Sequence, residues 1–178
     1  VLVLILCWGL ARLLPRLALA LTALAFVLTM AIAPVLAPTV ERALPSAVLE
    51  RLDPMSARAR IDIWHSFGEV ARARPLFGAG FGTSATMHLH PVAAEVSPAH
   101  RTLLEASHAH DMPLQVWAET GAVGVALLTL AGLLLLAWLW RLPAAEQAPR
   151  LALFAAAFSI AAVGHGAWQG WWIAGLGA

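Results

Sequence analysis

The sequence predicts an all-α fold: a polytopic bundle of transmembrane helices with a large extracytoplasmic loop that contains short helices. Three observations predict it. The 178 residues are 61% hydrophobic, with a mean hydropathy of +0.79, against about 45–50% apolar residues in globular domains. Apolar runs of membrane-spanning length alternate with short turns that carry Arg. One long stretch, 38–112, breaks this pattern and holds seven of the Arg residues and most of the His.

The first run, 1–11, is too short to span at about 1.5 Å per residue and reads as the end of a truncated transmembrane helix. Val1 stands where a Met would begin a chain, so the sequence reads as a piece of a longer protein. Neither a basic lead nor a small-residue cleavage site marks this run as a signal peptide. Arg12 to Arg16 is a turn with two positive charges. Residues 17–37 form the next transmembrane helix, with Pro34 and Pro38 marking its exit.

Inside the loop, residues 58–74 form an amphipathic helix, with Ile61, Trp64, Gly68 and Ala71 at helical spacing. Arg60 and Trp64 share a face, which predicts that Arg60 points into the protein. Pro75 stops this helix and a glycine-rich turn follows, Gly78 to Gly82. Residues 83–96 read as irregular, and Pro98 to Ala106 as a short helix. Residues 113–140 and 151–177 are the last two transmembrane helices, the second with Trp168, Trp171 and Trp172 near its end. Arg lies in both short turns, 12–16 and 141–150, so the positive-inside rule puts these in the cytoplasm and the long loop outside. The Trp cluster then falls on the outer side, where an aromatic belt is expected.

A net charge of +1 gives no basis for a nucleic-acid partner. The single Cys7 excludes a disulfide within the chain. The loop has no D-x-D or other acidic pair to hold Mg²⁺, so any diphosphate would be handled by Arg and helix dipoles.

Five His residues fall between His88 and His110. Two H-x-H pairs suit zinc, but no Cys and no H-E-x-x-H accompany them, so a solvated loop is the plainer reading of His88, His90 and His100. His108 and His110 differ by position. They precede a helix announced by Asp111, a capping residue, and Pro113, an early-turn proline. A helix N-terminus keeps a nearby imidazole neutral and attracts anions, as a general base acting beside phosphate requires. Gln115 and Glu119 lie four apart on one face of this helix. The run from Ala122 to Trp140 spans about 28 Å by itself, so Glu119 belongs near the outer interface, supporting His110 or an Arg rather than relaying protons.

Arg60, Arg72 and Arg74 are the cationic candidates for phosphate, with a solvated face the alternative for Arg72 and Arg74. The Gly78–Gly82 turn could form a backbone nest for an anion. His165 and Gln169, also four apart, lie in the outer half of the last apolar segment.

With these residues in view, the chain resembles the O-antigen ligase and O-antigen polymerase family of bacterial membrane proteins. Arg60 and Trp64 fit its R-x-x-x-W helix, and Pro75 to Gly80 fits its P-L-x-G-x-G turn. His108-Ala109-His110-Asp111, then Leu114-Gln115, then Glu119, Gly121 and Gly124 fit its H-x-H-N, L-Q and E-x-G-x-x-G signature. Asp111 stands where the family usually has Asn.

The resemblance implies a GT-C-like glycosyltransferase of the inner membrane. Such an enzyme moves a glycan from a polyprenyl-diphosphate lipid to a lipid A-core, polysaccharide or protein acceptor, without metal or other cofactor. It implies His110 as the base for the acceptor hydroxyl and Arg60 as a diphosphate contact. The expected substrate-binding set is Arg74, Arg72, His108, Gln115, Glu119, Gly78 and Gly80. From other classes, a permease with an outer binding loop and a metal-dependent membrane hydrolase remain as alternatives.

Overall fold

The computed structural model describes residues 1–53, 56–164 and 166–168. Within them the chain is all α, with helices α1 (Leu2–Leu13), α2 (Pro15–Ile32), α3 (Leu36–Ala43), α4 (Ser46–Leu49), α5 (Ala57–Ala73), α6 (Pro98–Arg101), α7 (Met112–Leu139) and α8 (Ala144–Gly164). Three stretches are long and apolar enough to cross a membrane: Pro15–Ala43, Met112–Leu139 and Ala144–Gly164. Only 22, 17 and 28% of their apolar windows are buried, so most of this surface faces outward, where lipid rather than water suits it. The protein is an all-α membrane bundle.

Leu14 separates α1 from α2. It precedes Pro15, whose ring disfavours helical geometry for the residue before it, and Pro15 then occupies the first turn of α2, where its missing N–H costs nothing. The two helices fold back on each other. Ala11, Ala18 and Leu19 meet Leu136, Leu139, Ala148 and Leu151 in one buried cluster, so both Arg-bearing turns lie at the same end of the bundle. In the middle, Phe26 packs edge-on against Phe154 and Phe158, with centroids 5.6 and 4.8 Å away. The opposite end is a separate core in which Phe67 and Val70 of α5, Met87, Val92 and Leu104 of the loop, and Leu114 and Ala118 of α7 pack together.

The sequence places the exit of the second apolar helix at Pro34 and Pro38, but the chain stays helical to Ala43. It tightens to a 3-10 turn over Ala33–Val35 and restarts as α3. Pro38 falls in the first turn of α3, where N–H groups have no helical partner in any case. The carbonyl four residues back, that of Pro34, accepts instead from Arg72 Nη1 at 2.5 Å. Gly68 makes room for it, since a Cβ there would sit 2.9 Å from that oxygen.

The segment expected to be irregular forms two 3-10 stretches, Thr83–Leu89 and Pro91–Glu95. The stretch Pro98 to Ala106 starts as α6 and continues as 3-10 over Thr102–Ala106. Short helical turns satisfy backbone groups locally, which lets this loop pack without strands.

Candidate active site

The site is built on the N-terminal end of α7. The 3-10 turn before it ends at Ser107. Ser107 (φ 61°) and His110 (φ 52°) have left-handed backbones, which cost about 1–2 kcal/mol each for residues with a Cβ. Ala109 between the two His residues is fully buried and anchors the turn. The His110 N–H donates to His108 Nδ1 at 3.2 Å, so His108 is held with its Nδ1 as acceptor and its proton on Nε2. The two half-buried rings lie 4.0 Å apart between centroids, tilted by 58°.

Asp111 is extended and caps α7, its Oδ1 accepting from the Leu114 N–H at 2.8 Å. Burial pushes its carboxyl up to about 7, against the opposing pull of the Leu114 N–H. Near neutral pH it is therefore partly protonated, and in that form it presents the uncharged acceptor that Asn would.

About two helical turns further, Glu119 is fully buried. Its Oε2 accepts from the Gly82 N–H (2.6 Å) and the Trp168 Nε1–H (2.6 Å). Its Oε1 accepts from Gln115 Nε2 (2.8 Å) and the Ser84 N–H (3.3 Å). Gln115 in turn accepts from the Ala167 N–H through Oε1 at 2.9 Å. The expected partner of Glu119 was His110 or an Arg. Its partners in the structure are two backbone amides, an amide side chain and an indole, and no ion pair to it occurs among the described residues. Glu119 ties the glycine-rich turn and the end of the α8 segment to α7.

The glycine-rich turn does cradle an acceptor, and that acceptor is the protein's own Glu119 carboxyl group. The Gly78, Ala79 and Gly80 N–H groups of the turn are engaged as well. Gly121 has φ 61° and ψ −163°, which interrupts α7. In an unbroken helix the Ala122 and Val123 N–H groups would donate to the Ala118 and Glu119 carbonyls. Here those two N–H groups donate to the Pro75 and Leu76 carbonyls, while the Ala118 and Glu119 carbonyls accept from the Ala79 and Gly80 N–H groups. The turn is spliced into the break, so the freed backbone is satisfied by protein, as membrane depth requires. Gly78 and Gly80, expected in the substrate-binding set, both have their backbone N–H groups taken by protein carbonyls. The Gly80 N–H is held by the Glu119 carbonyl, and the Gly78 N–H donates to the Arg74 carbonyl. Gly78 itself (φ 66°) lets the two backbones touch, since a Cβ on it would lie inside the Glu119–Thr120 peptide.

The three arginines separate. Arg60 is exposed, contrary to the expectation that it points inward, and its Nη1 donates to the Val163 carbonyl near the end of α8 at 3.2 Å. Its i+4 neighbour Trp64 is half-buried, and a shared helix face fixes direction only where another element covers it. Arg72 holds the Pro34 carbonyl. Arg74 forms a two-pronged ion pair with Glu95, with contacts at 3.1 and 2.5 Å. Neither Arg72 nor Arg74 faces the His108–His110 turn through any of these contacts. Arg60 reaches toward it indirectly. Val163 lies three residues before Gly166, and a Cβ on Gly166 would press on Gln115 Oε1 and the His108 side chain at 3.0 and 3.2 Å.

Among the other His residues, His88 is exposed and His90 caps the Pro91–Glu95 turn by accepting from the Val92 N–H at 3.2 Å. His100 is not solvated as expected. Its Nδ1 lies 2.6 Å from Glu69 Oε1, and its ring stacks on His65 at 4.8 Å. Burial works against the Glu69 carboxylate, but hydrogen bonds from Ser97 and His100 outweigh it and hold its pKa below the ordinary value. No group of three or more metal-ligating side chains occurs among the described residues. His165, Gln169, Trp171 and Trp172 lie outside the described residues.

Residue spacing gave no sign of the Ser84, Ala167 and Trp168 donors. Trp168 stood out only as an aromatic near a helix end, and backbone amides leave no mark in a sequence. Two further buried groups, Trp64 Nε1 and Ser84 Oγ, have no hydrogen-bond partner among the described residues.

A family model described as O-antigen ligase matches residues 1–129, which includes α5, the glycine-rich turn, the His108–Asp111 turn and the break in α7. No curated protein and no solved structure gives a significant match.

Proposed function

The chain belongs to the O-antigen ligase family, and from that premise we propose that it transfers a glycan from a polyprenyl-diphosphate carrier to an acceptor hydroxyl. The acceptor is a lipid A-core, a polysaccharide or a protein. The reaction takes place on the outer side of the bacterial inner membrane. What supports this side is the pair of Arg-bearing turns at one end of the bundle, which the positive-inside rule assigns to the cytoplasm.

The observation that carries the reading is the left-handed His110 at the N-terminus of α7. Strain of this kind persists only where the surroundings over-determine it, and it concentrates at functional sites. In the proposed reaction the acceptor oxygen attacks the anomeric carbon while its proton passes to the His110 imidazole. The bond from that carbon to the diphosphate oxygen breaks, and the lipid diphosphate leaves with the electron pair. Diphosphate is a good leaving group, so no general acid is needed. Arg60 and the positive end of the α7 dipole stabilise the charge that develops. His108 fixes the turn that aims His110, and Gln115 and Glu119 hold its frame.

The test is His110→Ala in the full-length protein in native membranes, assayed for transfer from lipid-linked glycan. Loss of a general base lowers turnover by about 10²–10⁴-fold, with folded protein retained. Transfer at the parent rate by this variant would overturn the assignment.

A further inference from the structure

The glycine-rich turn has a second face. Its backbone is fastened to α7, but Leu76, Phe77 and Phe81 point away from the protein and are 61, 72 and 70% exposed. Aromatic side chains bury about 150–250 Å² each when covered, and soluble surfaces rarely gather such groups into one patch.

Two relationships identify what covers them. The first is depth. The Ala122 and Val123 N–H groups bond to the Pro75 and Leu76 carbonyls at 2.8 and 3.2 Å, so the turn sits at the level where the apolar run of α7 begins. It has no freedom to rise from that level without breaking the splice. The second is continuity. Below the splice, α7 exposes Val123, Leu127, Leu130, Leu134 and Trp138, which recur at helical spacing as one outward stripe. Leu76 and Phe77 lie beside the upper end of that stripe. Trp168 completes the patch. Its ring lies 4.6 Å from that of Phe81, and its indole N–H reaches inward to Glu119. An apolar ring outside and a polar handle inside is the habit of tryptophan at a membrane interface.

We propose that the turn 75–81 is a membrane-inserted wedge. Leu76, Phe77 and Phe81 seat among phospholipid acyl chains at the boundary of the bilayer on the loop side. The loop is then fixed to the membrane at a point between its two ends. The proposal rests on the membrane character of the chain and not on the transfer reaction.

The test is site-directed spin labelling in phospholipid vesicles. Phe77→Cys and Phe81→Cys would each be made in a Cys7→Ser background, since Cys7 is the single cysteine. Leu130→Cys serves as the lipid reference, and exposed Thr86→Cys as the aqueous one. The expected result is faster relaxation by oxygen than by a water-soluble nickel chelate at both wedge positions, as at position 130, and the reverse at position 86. Nickel-dominated relaxation at 77 and 81 would overturn the proposal by showing water there. Slow relaxation by both reagents would also overturn it, since the patch would then be packed under protein. Both wedge side chains are exposed, so labelling leaves the core intact, and elution of each variant as a single species checks this.

Discussion

Gly78 and Gly121 let the turn and α7 meet backbone to backbone, each lying against the peptide just upstream of the other. A Cβ on Gly121 would lie on the Leu76 carbonyl group, and a Cβ on Gly78 on the Glu119–Thr120 peptide. Around them, four hydrogen bonds replace the two that α7 gives up at its break. Gly78→Ala and Gly121→Ala therefore combine a left-handed penalty with a backbone collision. Each should cost more than about 3 kcal/mol, beyond the range of ordinary substitutions, and show as loss of folded protein after extraction. Gly82 (φ 76°) has nothing within 4 Å of its would-be Cβ. Gly82→Ala should carry only the conformational term, about 1–2 kcal/mol, and remain foldable.

Glu119→Gln keeps the shape of the side chain but replaces one acceptor oxygen with a donor. At least one of the four N–H groups now facing the carboxylate would then confront an N–H. The expected loss is about 1–3 kcal/mol for each donor left unsatisfied, read as a lower thermal midpoint of the purified protein. Glu119→Asp should fail similarly, because the shorter side chain cannot reach both oxygens' donors. An unchanged midpoint in Glu119→Gln would show that the carboxylate is not the joint between α7 and the turn.

These two predictions mark where the sequence stops being legible. Apolar runs announce the spanning helices, and Asp111 with Pro113 announces the start of α7, because both signals are local. The glycines of the turn and those of α7 are each visible as motifs, but spacing cannot reveal that one set fills the gap in the other. That pairing is made by backbone groups 39 (Ala79 with Ala118, Gly80 with Glu119) or 47 (Pro75 with Ala122, Leu76 with Val123) residues apart in sequence. Pro38 misleads for a related reason. A proline that ends one helix and a proline in the first turn of the next look alike until the partner of the orphaned carbonyl is known, and here that partner is Arg72. The direction of Arg60 was misjudged because periodicity gives a helix face and does not say which neighbour covers it.

Asp111 should make stability depend on pH in an unusual direction for a carboxylate. Its folded-state pKa is raised from 3.8 to about 7, so the folded state holds the proton more tightly than the unfolded one. Stability from this group is full in acid, falls as pH rises from about 4 to 7 and is flat above that. Asp111→Asn keeps an acceptor for the Leu114 N–H and does not titrate. Its thermal midpoint should exceed that of the parent above pH 7, and the fall with pH attributable to residue 111 should vanish. Identical midpoint–pH curves for parent and variant would contradict the raised pKa.

Arg60 separates folding from chemistry. It is exposed and makes one hydrogen bond, to the Val163 carbonyl. Arg60→Ala should shift stability by no more than about 0.5 kcal/mol, as surface changes do. If Arg60 meets the donor diphosphate, transfer should fall by at least about tenfold, equivalent to about 1.4 kcal/mol of lost transition-state binding. A variant with parent stability and parent transfer would reduce Arg60 to a cap on the end of α8.

The family match stops at residue 129, yet two of the donors that complete the site, the Ala167 N–H and the Trp168 indole, lie beyond it. A polypeptide cut at that point would keep every signature residue and still leave the Gln115 carbonyl without the Ala167 N–H and Glu119 Oε2 with only one of its two donors. The signature thus names the family without being a self-sufficient unit. Grafting residues 1–129 onto a foreign last helix should succeed only where that helix brings back an amide and an indole at the same height.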